Sequence, residues 1–149
     1  MLYTSAQDWR NAPNKRVLFF GMSGLGKTQL ANLLRAEGHW FHYSVDYRIG
    51  TAYMGEHISD NLKQQAMQVP FLAELLKSDS IYIGSNITFD NLAPLSTYLG
   101  KPGNPDLGGL SFTEYMRRQD LHRRAEVNAL LDTPHFIRRA HDLYGYSNF

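Results

Sequence analysis

Between residues 17 and 34 the chain reads V-L-F-F-G-M-S-G-L-G-K-T-Q-L-A-N-L-L. No other stretch restricts the fold as strongly. An apolar run, R16-V-L-F-F20, stops at Gly21. A short apolar run bounded in this way predicts a strand buried on both faces, as in a parallel sheet. Gly21, Gly24 and Gly26 follow within six residues. Without a Cβ, they let the backbone curl so that successive N–H groups point inward at an anion. Residues 27–37 then carry Leu30, Ala31, Leu33 and Leu34 on one stripe, and Gly38 stands where a helix cap belongs. A helix that opens after Gly26 aims its positive dipole end at whatever the loop holds.

The next segment, W40-F-H-Y-S-V-D46, alternates. Phe41, Tyr43 and Val45 face one way, and Trp40, His42, Ser44 and Asp46 the other, which predicts a second strand and completes a βαβ unit. Further on, a helix is expected over 56–68, resumed after Pro70 over 71–77. S80-I-Y-I-G-S85 reads as a third strand, 91–99 as a short helix with Pro94 in its first turn, and 100–109 as a loop. Two helices close the chain. One starts at Ser111 with Glu114 in capping-box spacing, and the other has Thr133 as N-cap and Pro134 at its first position and ends at Gly145.

G21-M-S-G-L-G-K-T28 matches G-x-x-x-x-G-K-[ST] at every fixed position. At ordinary glycine frequencies, a chance match in a chain this long arises roughly once in a hundred or less. The pattern follows an expected strand and opens an expected helix, as its chemistry requires. On these residues the chain resembles the P-loop NTPases over 16–46. The resemblance implies a three-layer α/β/α fold with a short parallel sheet and a helical C-terminal segment. It also implies a nucleoside triphosphate, ATP with GTP left open, together with Mg²⁺. Gly21, Met22, Ser23, Gly24, Leu25, Gly26, Lys27, Thr28 and Gln29 would cradle the phosphates. Lys27 would reach the β- and γ-phosphates, and the Thr28 hydroxyl would ligate Mg²⁺.

A metal on a triphosphate usually takes a carboxylate, directly or through water. Asp46 ends the expected second strand, and Asp90 follows I87-T-F in a loop. Asp46 is the better placed, because strands of a parallel sheet end at the edge where the glycine loop lies. An acid at this point resembles the small-molecule and nucleotide kinases of the P-loop group, such as shikimate-kinase-like and dephospho-coenzyme-A-kinase-like enzymes. The likeness implies that Asp46 orients or deprotonates an acceptor hydroxyl and that Arg48 pairs with an anionic acceptor. Shikimate kinases tend to show acid-x-acid here, and this chain has D46-Y-R48. The plainer alternative makes Asp46 a cap of the following turn and Arg48 a surface residue.

Six of the ten arginines lie in residues 117–139. A mobile phosphate lid hinged at 100–109 is one reading, and charge-balanced surface helices are the other. Glu114 with Arg118, and Asp120 with Arg124, have the i,i+4 spacing of a solvated helix. A nucleic-acid surface fits less well, because the basic residues are compensated. The six histidines show no tight metal spacing, and the tyrosines and phenylalanines read as core and rim.

The whole chain, 149 residues with 43% hydrophobic and 19% charged, is expected to form one domain. Its parts are a polar leader (1–14), an α/β core (15–99) and a helical segment (110–145). The net charge of +1 gives no global pull toward nucleic acid or an anionic membrane. The absence of cysteine removes disulfides and a Cys nucleophile, and fits a reducing compartment. No apolar run reaches the length of a membrane span, so the expectation is a cytoplasmic protein. Only three strands are visible, fewer than an open parallel sheet usually holds, which suggests either the N-terminal portion of a longer protein or an unusually reduced sheet. The functional expectation is Mg·ATP-dependent phosphoryl transfer to a small-molecule or protein acceptor, or hydrolysis. A nucleotide-responsive binding module is the alternative.

Overall fold

Helix periodicity decides most of what forms. In the computed structural model, which describes residues 3–22 and 24–149, the elements are helices α1 to α8 joined by turns and extended chain. α1 is Ala6–Asn11, α2 Lys27–Ala36, α3 Val45–Arg48, α4 Gly55–Ala66, α5 Pro70–Lys77, α6 Ala93–Leu99, α7 Phe112–Leu131 and α8 Thr133–Arg138. α3 runs into a π turn, Ile49–Tyr53, and α8 into another, Arg139–Leu143. The chain divides into two compact units, Met1–Tyr43 with Leu131–Phe149, and Ser44–Leu130.

The three-layer α/β/α fold with a parallel sheet is not what the chain adopts. Among the described residues there is no sheet, only isolated bridges. A strand exists only through its pairing, and the pairing here stops after one rung. In the first unit, the Val17 N–H donates to Phe149 O at 2.9 Å and the Phe149 N–H to Lys15 O at 2.9 Å. On the other side of the same tail, the Phe41 N–H donates to Asn148 O at 2.9 Å and the Asn148 N–H to His39 O at 3.0 Å. Residues 15–17 and 39–41 thus flank 148–149, all running parallel. Beyond these rungs the expected first strand has no backbone partner among the described residues, and Leu18 and Phe20 are 75% and 85% exposed. Residues 80–85 form neither helix nor ladder.

The second expected strand ends early for a local reason. Ser44 turns the chain into α3, with its Oγ accepting from the Tyr47 N–H at 3.2 Å. An N-cap serine followed by an acid in the first turn favours helix over further extension. Asp46 therefore sits in the first turn of a helix, not at a strand end. The polar leader also folds in part, since Ser5 caps α1 by accepting from the Asp8 N–H at 3.0 Å.

Ser44–Leu130 is built around Ile49, Met54, Ile58, Ile87, Leu95, Tyr98, Ala125 and Ala129, from the first π turn, α4, the extended segment, α6 and α7. A Cβ at Gly50 would lie 2.8 Å from Ile87 Cδ1, so a larger residue there would make the Ile87 side chain shift. Arg118 is buried with this core. Its guanidinium lies 4.5 Å from the Tyr98 ring centroid and donates to the Tyr98 carbonyl and to Glu114 Oε1.

The other unit is held differently. Phe41 stacks on Tyr144 and Phe149 at ring-centroid distances of 6.0 and 5.7 Å, and Tyr43 packs on Phe136 at 4.9 Å. α2 buries no residue.

Candidate functional site

The glycine loop keeps the local geometry that its sequence requires. Gly24 and Gly26 take φ of 85° and 76°, a region that side chains with a Cβ rarely enter. Space around both is open, with nothing within 4 Å of where a Cβ would stand. Gly26 is the N-cap of α2 and offers no side-chain acceptor, so the first-turn N–H groups receive no side-chain cap from that position. Four such donors, with the positive dipole end behind them, form the part of a helix that favours an anion.

Lys27 supplies the fixed charge. Its Nζ donates to the carbonyls of Gly21 at 2.8 Å and Met22 at 2.6 Å. The first helical residue thereby reaches back across the loop to its opening. This holds the ammonium against the loop backbone, and an ammonium has three donors to share between carbonyls and phosphate oxygens. Thr28 and Gln29 follow on the exposed first turn, and Met22 and Leu25 are exposed as well. Ser23, expected among the phosphate-binding residues, lies outside the described residues. The unit that carries the loop has seven lysines and arginines against four acids, while Ser44–Leu130 has eight against ten.

Asp46 and Arg48 belong to the other unit, Ser44–Leu130. Asp46 is exposed, and the Arg48 guanidinium lies 5.4 Å from the Tyr53 ring centroid. Asp90 is exposed at a bend. The structure therefore gathers Gly21, Met22, Gly24, Leu25, Gly26, Lys27, Thr28 and Gln29 in one loop and helix start. Asp46 and Arg48 both lie on α3. The described residues contain no cluster of three or more His, Cys, Asp or Glu side chains of the kind that holds a metal by itself. A helix start and a lysine side by side are groups of the kind that suits a phosphate chain. Mg²⁺ would share the phosphates with the Thr28 hydroxyl and water, a ligand set that suits its preference for oxygen and retained water.

The arginines of α7 are engaged by acids of the same helix. Arg117 Nε and Arg118 Nε both lie 2.7 Å from Glu114 oxygens, and Arg123 and Arg124 meet Asp120 at 3.0 and 2.5 Å. The Arg117 and Arg118 guanidiniums hold the Glu114 carboxyl at about 2, well below its ordinary 4.5. Ser111 accepts from the Glu114 N–H at 3.3 Å, half of the expected capping box. Arg118 is the residue the sequence reading missed: a surface charge by spacing, a core strut by position. Its only sequence signal is the apolar Leu121, Ala125 and Ala129 that follow it at helical spacing.

No family model, curated protein or solved structure matches the chain. No helix among the described residues is long and apolar enough to cross a membrane.

Proposed function

We propose that the chain binds a nucleoside triphosphate as its Mg²⁺ complex through residues 21–29, and uses it for phosphoryl transfer or hydrolysis. One observation carries this reading. A helix start at Gly26 with no side-chain cap from that residue and a lysine whose Nζ reaches back to the Gly21 and Met22 carbonyls belong to the same short loop. Backbone N–H groups of the loop and of the first turn of α2 would bind phosphate oxygens. Lys27 would offset charge developing on the γ-phosphoryl group, and Thr28 would hold Mg²⁺. Bound Mg²⁺ supplies charge neutralisation between the phosphates. Asp46 is assigned to orienting the nucleophile, and Arg48 to an anionic acceptor. The surplus of basic residues in the loop-bearing unit favours a polyanion there. ATP is the nucleotide assigned, with GTP as its competitor, and a cytoplasmic setting follows from a cysteine-free chain that uses it.

A second reading, nucleotide-responsive binding with little turnover, is favoured by the placement of Asp46. The strand end expected to bring this acid to the edge of the glycine loop is instead the first turn of α3.

Calorimetric titration with Mg·ATP and Mg·GTP tests the binding. Lys27→Ala removes a charge-assisted contact of about 1.5–3 kcal/mol, hence about 10- to 100-fold in affinity. A Lys27→Ala protein that binds nucleotide as the parent does would end the assignment. Phosphate release that survives in Asp46→Asn would end the role given to Asp46.

A further inference from the structure

The glycine loop and α2 form one excursion of the chain, and the same two residues hold both of its ends. Residues 18–38 leave a parallel rung at 15–17 and return to another at 39–41. Among the described residues, no backbone–backbone hydrogen bond joins 15–17 to 39–41 directly. None leaves 18–38 for another part of the chain either. α2 buries no residue, so packing does little to place the excursion. Asn148 and Phe149 lie between its ends and bond to both.

Asn148 is the residue that meets each end. Its N–H donates to His39 O at 3.0 Å, and its carbonyl accepts from the Phe41 N–H at 2.9 Å. Its side chain turns to the other end, where Oδ1 accepts from the Lys15 N–H at 2.9 Å. The first two bonds are backbone bonds that any residue except proline can make. The third needs a side-chain acceptor of this length. It is part-buried, and an N–H left unpaired in such a place is costly. Phe149 adds the next rung, donating to Lys15 O and accepting from the Val17 N–H, while its ring stacks on Phe41. The segment is itself pinned just before these residues. The Tyr146 N–H donates to Ala140 O at 2.8 Å, and His141 Nδ1 lies 2.6 Å from the Tyr146 carbonyl.

We propose that Asn148 is a positioning residue for nucleotide binding, one that sets the separation of the two ends of the excursion; this rests on the reading of residues 21–29 as a phosphate site. A phosphate chain there takes N–H groups from the loop and from the first turn of α2 at once. Freedom between the two ends would be lost on binding and would weaken it, and clamping them beforehand removes that cost. Asn148 does not touch phosphate in this scheme. It acts through Lys15 and the short run of chain from there to Gly21. The coupling is reciprocal, so bound nucleotide should tighten the bonds at 148 in return.

Calorimetric titration of the full chain with Mg·ATP compares the parent with two variants. Asn148→Leu keeps the size and the backbone rungs but has no acceptor, and Asn148→Asp keeps an oxygen toward Lys15. Asn148→Leu is expected to bind about 3- to 10-fold more weakly, with helix content by circular dichroism unchanged. Asn148→Asp is expected to bind as the parent does. Parent-like binding by Asn148→Leu overturns the proposal, as does equal weakening in both variants, which would mark a packing role. A parent that fails to bind Mg·ATP ends the reading of 21–29, and the positioning role with it. Should Asn148→Leu lose helix, the parent decides by hydrogen exchange. Adding Mg·ATP is then expected to slow the Lys15, Phe41 and Asn148 amides together with those of the loop, and slowing confined to 24–34 overturns the proposal.

Discussion

The two units of this chain are stabilised in different ways. Ser44–Leu130 has a core in which Ile49, Met54 and Ile58 are almost completely shielded. In the loop-bearing unit the buried apolar residues are Trp40 and Ala140, and order comes from stacked rings and a few parallel backbone bonds. Leu33 on α2 is 58% exposed, whereas Ile58 on α4 is 2% exposed. Binding segments tend to come from the least stable part of a fold, because ordering them is how a ligand is felt. If the loop binds nucleotide as proposed, the first unit would be the responsive part and the second the anchor.

The sharpest way to break the comparison is to truncate one apolar residue in each unit. Ile58→Ala is expected to cost about 2–5 kcal/mol in denaturant unfolding, through lost burial and a cavity. Leu33→Ala is expected to stay within about 0.5 kcal/mol, because its side chain leaves little apolar contact behind. Equal losses would show that α2 is packed as tightly as α4.

Next in size is Arg118→Ala. It strands the Tyr98 carbonyl and removes packing over the Tyr98 ring, so about 1–3 kcal/mol is expected. A neutral result would return Arg118 to the solvated face that its sequence spacing implied.

The smallest effect concerns Glu114. Its folded carboxyl is held below the unfolded value, so its stabilisation is present above about 4.5 and is lost as pH falls from there toward about 2. Glu114→Gln is expected to lower the thermal midpoint by about 2–4 °C at pH 7. The gap between variant and parent should close through that acid window. A gap independent of pH would assign the effect to packing rather than to the ion pairs.

Helices were legible wherever caps and periodicity agreed. Pro70 and Pro134 open α5 and α8, and the boundaries expected for α2 and α6 fall within a residue or two of those found. Strands were not legible, because V17-L-F-F20 and I81-Y-I-G84 have the composition of strands but pairing is a property of the neighbour, not of the segment. The same limit moved Asp46. Its alternation with Tyr43 and Val45 was read as extension, and the cap at Ser44, two residues earlier, outweighed it. The loop itself was readable because its constraints are local: glycines at positive φ, a helix start and a lysine within reach of both. Arg118 was not, since burial of a charged residue depends on α6 lying against α7.

Amide hydrogen exchange with and without Mg·ATP tests the central claim most directly. If residues 21–29 are a phosphate site in a loosely packed unit, protection should rise at least tenfold over 24–34 on adding nucleotide. Amides of α4 and α7 should be unchanged, and the rise should vanish in Lys27→Ala. Unchanged exchange over 24–34 at saturating nucleotide, or a change confined to Ser44–Leu130, would contradict it.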